Sequence, residues 1–476
     1  MVRPLVIAFL AIALATGLPL AVMTPPGHVP DESEHAARAD GLLLGQVVGH
    51  RMQIPGPFDK PVVISGVLAD PAMLAVAAVL PTERPISAEQ FRTLSVIPWF
   101  DKPMFMAIGG IATYLPIFYA PAALALGVAK LIGLSPYIAF LAGRTMNLAC
   151  FMLVGAIALA IARRGRAVNF CVLTCPMTLS LAASFNEDGL LIASAALAAA
   201  LLSRIEPTRR GPNRDHAFAA LIIAAVAAVK PPYMALAGLM LLPVPAFRSW
   251  RAERRAVAGR IGVMALVVLP GLLWTAWMLA SVATPVPRMA YAPGPLWHGD
   301  PDRLFDATDV RAQLAVLGAR PGLLLTLPWS YFTTGVLLPR EMVGVLGWLT
   351  IDLPDALYRF WYAAIGLAFV ADAARAGSGP SGWRDTLLAI LMVAVAAWGI
   401  ALIEYLTWTN VGGDHIEGVQ GRYLLPLIPF LAIAIPGLPI PRGRVVAACC
   451  MIGPISAAVA GVAVLPLVIL GVFYVH

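Results

Sequence analysis

The chain has 476 residues, 60% of them hydrophobic and only 12% charged, with a mean hydropathy of +0.82. Apolar runs near the length of a bilayer span recur along nearly all of it, which excludes a soluble globular protein. The formal net charge of +7 is no nucleic-acid signature, because the arginines gather in short loops as the positive-inside rule predicts. The expected fold class is an all-α polytopic membrane protein of about 11–13 transmembrane helices, built as one integral membrane domain over 1–476. Cys150, Cys171, Cys175, Cys449 and Cys450 sit in apolar runs without ligand partners, so neither a disulfide framework nor a zinc site is expected.

In chain order, the first apolar run, 4–24, follows Met1-Val2-Arg3. Ala13-Leu14-Ala15 offers a weak cleavage site, but the apolar run continues past it, so a retained first helix is expected. With Arg3 inside, residues 25–105 form a long periplasmic loop. It opens on Pro30-Asp31-Glu32-Ser33-Glu34-His35, with Arg38 and Asp40 close behind. A solvated loop would account for such a run; a catalytic carboxylate at the membrane–water boundary is the functional alternative, and it needs partners elsewhere. Within the loop an interfacial helix is expected over His28–Arg51. The apolar stretch Pro61–Pro81, split by Asp70-Pro71, is expected to lie in the interface or dip into the bilayer, and Ile97–Pro103 marks re-entry.

Apolar segments follow at 105–133, 136–162, 168–183 and 189–203, then as two short arms around Lys230 in 217–247, and at 261–283. A periplasmic or interfacial region covers 284–355, and helices at 356–374, 386–407, 422–440 and 445–473 complete the chain. If the arginine groups at 163–166, 204–214, 248–260, 375–384 and 442–444 are all inside, the sides agree with one exception. Arg3 and Arg163 require an even number of crossings between them, yet three segments (4–24, 105–133, 136–162) are available. Either 61–80 also crosses, or one segment is re-entrant.

Four polar stations then face one periplasmic side. Beyond the Asp31 run, Ser184-Phe185-Asn186-Glu187-Asp188 carries two adjacent acids where a helix cap needs one. Lys230 stands amid apolar residues, just before Pro231-Pro232 and Tyr233. Snorkelling would explain it; a phosphate ligand is the alternative. Asp414-His415-Ile416-Glu417-Gly418-Val419-Gln420-Gly421-Arg422-Tyr423 opens the next helix, and Arg422 falls on the side where arginine is disfavoured, so it calls for an anionic partner. Two carboxylate and two cationic stations describe a site for an anionic lipid-linked substrate and a nucleophile needing deprotonation. Neither a phosphate loop nor a nucleophile elbow is present.

Several pieces together resemble the DUF2142 family of bacterial membrane proteins, grouped with the GT-C glycosyltransferases. They are Pro30-Asp31-Glu32 with His35 and Arg38, Tyr114 to Pro121, Gly143-Arg144-Thr145-Met146-Asn147, Ser184 to Asp188, Lys230 to Tyr233, Gly347-Trp348-Leu349, and Gln420 to Pro426. The resemblance implies a GT-C-like fold with its first loop periplasmic. It also implies transfer of a sugar from a polyprenyl-phosphate carrier to an envelope glycan or lipid acceptor at a bacterial inner membrane. By that analogy Asp31 is the base with Glu32 beside it. The expected substrate-binding set is His35, Arg38, Asn186, Asp188, Lys230, Tyr233, Gln420, Arg422 and Tyr423. The family's Gly-Trp-Leu piece is often followed by an acid; here Thr350 takes that place and Asp352 comes two later. A Mg2+ or Mn2+ ion between Asp31 and Asp188 would suit paired acids facing a phosphate. A flippase for a lipid-linked glycan, or a membrane glycan polymerase or ligase, are the alternatives.

Overall fold

The computed structural model describes residues 2–56, 61–79, 85–100, 102–206, 209, 211–244, 253–291, 293–299, 305–335, 337–376, 382–438 and 440–475. Asp101, Arg210, Arg248 and Arg251, which belong to stretches discussed above, lie outside them.

Helix α1 (Val2–Met23) stops before Pro25-Pro26, which cannot donate to the helix ladder and push the preceding backbone out of the helical region. The chain then forms α2 (Glu32–Leu43), β1 (His50–Pro55), β2 (Pro61–Ala69), α3 (Pro71–Ala78), α4 (Ala88–Ser95) and β3 (Met104–Ala107). β2 is the central strand of an antiparallel sheet, pairing Ile64 with Met52 of β1 and Val67 with Met106 of β3. The expected interfacial helix over His28–Arg51 is therefore only α2, with β1 beginning in its tail. The stretch 61–80 does not dip into a bilayer as a helix. Its β-branched residues Val62, Val63, Ile64 and Val67 favour the strand, and Asp70 caps α3 by accepting from the Ala72 amide at 3.0 Å, with Pro71 at the first helical position.

The expected span 105–133 is also broken up. Gly109-Gly110, Pro116 and Pro121 leave turns and the 12-residue α5 (Ala120–Leu131), about 18 Å long, against about 30 Å of hydrocarbon core. The parity conflict resolves here. Among the described residues between Arg3 and Arg163, the helices of spanning length are α1 and α6 (Pro136–Ile161), two in number. They run antiparallel and close together, Gly17 against Leu148 and Gly155 against Phe9.

Next come α7 (Arg166–Thr174) and α8 (Pro176–Ala182), one expected segment broken at Cys175-Pro176. α9 (Asp188–Leu202), α10 (Arg214–Val229), a 3-10 helix (Pro231–Leu241) and α11 (Arg254–Ser281) continue the bundle. The region 284–355, expected to be periplasmic or interfacial, holds β4 (Pro287–Tyr291), β5 (Phe305–Ala307), α12 (Val310–Ala319), α13 (Leu323–Thr334), α14 (Leu338–Gly344) and a small hairpin of β6 (Val345–Leu346) and β7 (Ile351–Asp352). α15 (Asp355–Ala376), α16 (Trp383–Thr407), a further 3-10 helix (Gly421–Leu427), α17 (Ile428–Ile433), α18 (Gly443–Cys450) and α19 (Ile452–Phe473) follow.

Among the described residues, α1, α6, α11, α16 and the α18–α19 run are long and apolar enough to cross a membrane, and shorter apolar helices fill the spaces between them. The protein is an all-α polytopic membrane protein. At one end of the bundle the Arg163 amide donates to Ser203 Oγ, and Asp372 accepts from the Ala167 and Val168 amides. At the other end the Tyr474 hydroxyl donates to the Met23 carbonyl, tying α19 to the exit of α1. α9 packs at the centre, where Ala193, Ala196, Ala199 and Ala200 are fully buried and let neighbouring backbones approach. Leu153, Leu273, Leu279 and Leu467 remain exposed on the outside, as a lipid-facing surface requires.

Candidate functional site

Behind the site lies a closed ion pair. Arg144, inside α6, uses all five of its donors. Nε and Nη2 reach Glu32 Oε1 and Oε2 at 2.7 and 2.6 Å, Nη1 donates to the Ala21 and Thr24 carbonyls at 2.9 and 2.5 Å, and Nη2 also donates to the Pro25 carbonyl at 3.1 Å. These carbonyls belong to the last turn of α1 and its exit, groups that no helix can satisfy internally. Glu32 in turn accepts from the Gly27 amide at 3.1 Å and the Phe185 amide at 3.2 Å. Both side chains are completely buried. One bidentate pair thus binds the loop after α1 to α6 and to the turn before α9. Gly143 makes room for that turn, since a Cβ there would meet the Phe185 ring at 2.3 Å.

In front of this frame the ionisable groups of four chain segments converge. Asp31 begins α2 in left-handed backbone (φ 59), which aspartate tolerates, yet its carboxylate makes no capping bond. Instead Arg422 Nη2 donates to Asp31 Oδ2 at 2.9 Å, across 391 residues of sequence. Arg422 Nε lies 3.4 Å from Asp188 Oδ2, and Lys230 Nζ donates to Asp188 Oδ1. Lys230 also sits 4.0 Å from Glu187 Oε1 and 4.2 Å above the Tyr423 ring. It can do so because Pro231-Pro232 end α10 and turn its side chain off the helix ladder.

A second, fully buried layer holds the acids in place. Asn186 Oδ1 accepts from the Asp188 amide at 2.8 Å, so its Nδ2 faces the Pro30 carbonyl and His35 Nε2, both at 3.3 Å. An amide donor against Nε2 assigns the ring proton to Nδ1. There Tyr119 Oη lies at 2.8 Å and Glu187 Oε2 at 3.1 Å, and Tyr119 donates to Glu187 Oε2 at 3.3 Å.

Arg422 itself is 2% exposed, and its Nε and Nη1 meet no acceptor at hydrogen-bond geometry among the described residues. Gln420 Oε1 is likewise buried without a donor. Buried groups left in this state call for a further partner, whether a water, an ion or a ligand. A family model described as a predicted membrane protein, DUF2142, matches residues 14–431. The chain belongs to the DUF2142 family. No curated protein and no solved structure matches it.

In this DUF2142 member the structure brings together Asp31, Asn186, Asp188, Lys230, Arg422 and Tyr423, with His35 one layer behind. Three expected site residues have other occupations. Glu32 is spent on Arg144 and two amides, so it does not stand beside Asp31 as a second base. Arg38 donates to the Gln46, Val47 and Tyr114 carbonyls at 3.0, 2.8 and 3.2 Å, joining loops rather than facing a ligand. Tyr233 is fully buried and donates to the Tyr423 carbonyl at 2.7 Å, which fixes the segment carrying Arg422. Arg422 also stands between Asp31 and Asp188, so a guanidinium bridges these carboxylates. Asp352 lies 3.7 Å from Arg340 Nη1, and Asp414 pairs with His415 on the surface. Sequence reasoning did not single out Arg144, Tyr119, Glu341 or Glu404 for the site. The signal for Arg144 and Glu404 was available: each is an ionisable residue inside an apolar span, where charge is costly and marks a function or a partner. Glu341 accepts from the Gly421 amide at 2.8 Å, next to Arg422, and nothing in its local sequence announces that contact.

Proposed function

We propose that this protein is a GT-C-type glycosyltransferase that moves a sugar from a polyprenyl-phosphate carrier to a glycan or lipid acceptor on the periplasmic face of a bacterial inner membrane. The observation that carries this reading is Arg422: a buried guanidinium whose Nη1 and Nε make no hydrogen bond among the described residues, beside a mostly buried lysine and a partly exposed aspartate. A planar fork with open donors suits a phosphate oxygen, and the lysine adds a point charge. The side is supported by the arginine-rich connections, which lie at the opposite end of the bundle.

In the proposed reaction the acceptor oxygen attacks the anomeric carbon while the bond from that carbon to the phosphate oxygen breaks. The bonding pair leaves with the phosphate, whose developing charge Arg422 and Lys230 stabilise. The acceptor's hydroxyl proton passes to Asp31, which needs only hydrogen-bond reach. Asp188 holds both cations in register, and His35, Glu187 and Tyr119 keep Asp188's turn rigid.

The test is Asp31→Asn and Arg422→Ala expressed at wild-type level in a deletion background, with envelope glycans and glycolipids weighed by mass spectrometry. The expected result is loss of one sugar-sized mass with accumulation of lipid-linked donor. Normal glycans from both variants would overturn the transfer reading and favour a flippase.

A further inference from the structure

Every other acid in or behind the cluster has a partner: Asp31 has Arg422, Asp188 has Lys230, Glu187 has His35 and Tyr119, Glu32 has Arg144, and Glu341 has the Gly421 amide. Glu404 is different. It stands one turn from the end of the apolar helix α16, half-buried, within electrostatic reach of Lys230, Arg422 and Asp31. Among the described residues no hydrogen bond or ion pair at contact distance holds its carboxylate, although its backbone carbonyl accepts from Trp408 and Thr409. A carboxyl near the end of a membrane helix with no cation in contact is costly to keep unless water or a ligand completes it.

Its surroundings say what that ligand is. Trp408 follows Glu404 by four residues, placing the two on one side of the helix end, and the residue is 43% exposed. Gly418, in the loop before Arg422, packs against both. Gly418 has φ +88, and a Cβ there would lie 2.9 Å from Glu404 Oε2 and 2.5 Å from Trp408 Cδ1. A side chain at 418 would push into the carboxylate and the ring together, so glycine lets the loop backbone pack against both and hold them side by side. A carboxylate that accepts hydroxyl hydrogen bonds, next to an exposed indole face that packs on C–H groups, is a combination suited to a sugar ring. Asp31 and Glu404 together would repel an anionic ring at this position.

We infer that Glu404 and Trp408 form a subsite for an uncharged, hydroxyl-rich sugar, the acceptor of the reaction proposed above, on which this inference rests. Glu404 positions the acceptor by accepting from its hydroxyls, while Asp31 takes the proton of the attacking one. The donor's phosphate lies on the Arg422 side and does not require Glu404.

The experiment separates the two sides of the site. Full-length protein in nanodiscs is tested for thermal stabilisation by undecaprenyl phosphate, and the same variants are scored in cells for sugar incorporation into envelope glycans. Glu404→Gln and Trp408→Ala are expected to keep the phosphate response of the native chain, while Arg422→Ala loses it. Both are expected to cut incorporation by about tenfold or more, because a charged acceptor of hydrogen bonds, or the stacking face, is gone. Glu404→Asp recovers part of the incorporation, which a residue acting only in folding would not show. Wild-type incorporation by Glu404→Gln overturns the subsite while leaving the Arg422 result to stand by itself. Loss of the phosphate response in Glu404→Gln, with unchanged unfolding temperature, places the carboxyl on the donor side and also overturns it. Unaltered glycans and phosphate response in Arg422→Ala would instead remove the transfer reading beneath it.

Discussion

Arg144→Met is the perturbation that most directly probes how the site is held. The substitution keeps the apolar stem and removes a charge whose five donors are all engaged, two on Glu32 and three on the carbonyls of Ala21, Thr24 and Pro25. Removing one partner of a buried ion pair leaves an uncompensated charge and costs about 3–5 kcal/mol. Against a total stability of about 5–15 kcal/mol, that brings the fold near its threshold. In many buried pairs an apolar double replacement is neutral or better. Here Glu32→Leu with Arg144→Met should recover only part of the loss. The Gly27 and Phe185 amides would lose their acceptor and three carbonyls their donor, and unmade buried hydrogen bonds cost about 1–3 kcal/mol each. The assay is reversible unfolding in micelles, followed by tryptophan fluorescence, on the native chain, both single variants and the double. An Arg144→Met chain within about 1 kcal/mol of native, or a double variant as stable as native, would refute the account of a frame built around this arginine.

Three further outcomes follow from the same geometry. Arg422→Lys keeps the charge but loses the fork that spans Asp31 and Asp188, so affinity for undecaprenyl phosphate, read by thermal stabilisation in nanodiscs, should fall about tenfold. Tyr119→Phe removes a buried donor to Glu187 and a partner of His35, and should cost about 1–2 kcal/mol in unfolding while leaving phosphate binding intact. In α2, burial holds the Asp40 carboxyl above its ordinary 3.8, opposed by the Asp70 amide it accepts from and by Lys130. Ionising it therefore costs stability as pH rises from 3.8 through the raised value, and the cost persists above. Asp40→Asn keeps an acceptor for that amide, so it should flatten this part of the stability–pH curve and gain stability at neutral pH, measured by unfolding at a series of pH values.

What could be read from the sequence depended on whether the deciding contacts were local. The membrane class and the long helices α1, α6, α11 and α16 follow from apolar run length, which is a local property. The polar stations were visible because charge in an apolar chain stands out, and Arg422 was read as needing an anion because of its side. Lengths were misread wherever composition is equally consistent with a buried strand and a helix. Pro61–Ala69 is apolar because β2 is the central strand of a sheet, which a hydropathy window cannot distinguish from a shallow helix. Glu32 and Asp31 are neighbours and both acids, yet one faces Arg144 and the other Arg422. Nothing within ten residues of either distinguishes them, because both partners come from more than 100 residues away.

The charge inventory of the open cluster carries one more consequence for the proposed reaction. Asp31, Glu187, Asp188 and Glu404 outnumber Lys230 and Arg422, so an arriving phosphate competes with carboxylates for the two cations. Asp188 is buried and bridges both; Asp31 is the more exposed partner, with a single contact to Arg422 Nη2. The phosphate would therefore displace Asp31 more easily than Asp188, because the exposed ion pair is the weaker one. Donor binding then does two things at once: it satisfies the guanidinium, and it releases the carboxylate that must accept the acceptor's proton. An order of binding follows, donor before acceptor, without any hinge or lid. Carbodiimide labelling of Asp31, located by peptide mass spectrometry, reads that release directly, and should rise when undecaprenyl phosphate is added to the full-length protein in nanodiscs. Labelling that stays constant or falls, in a sample that shows the phosphate-induced stabilisation, would mean that phosphate binds without taking Arg422 from Asp31, and the coupling would have to be abandoned.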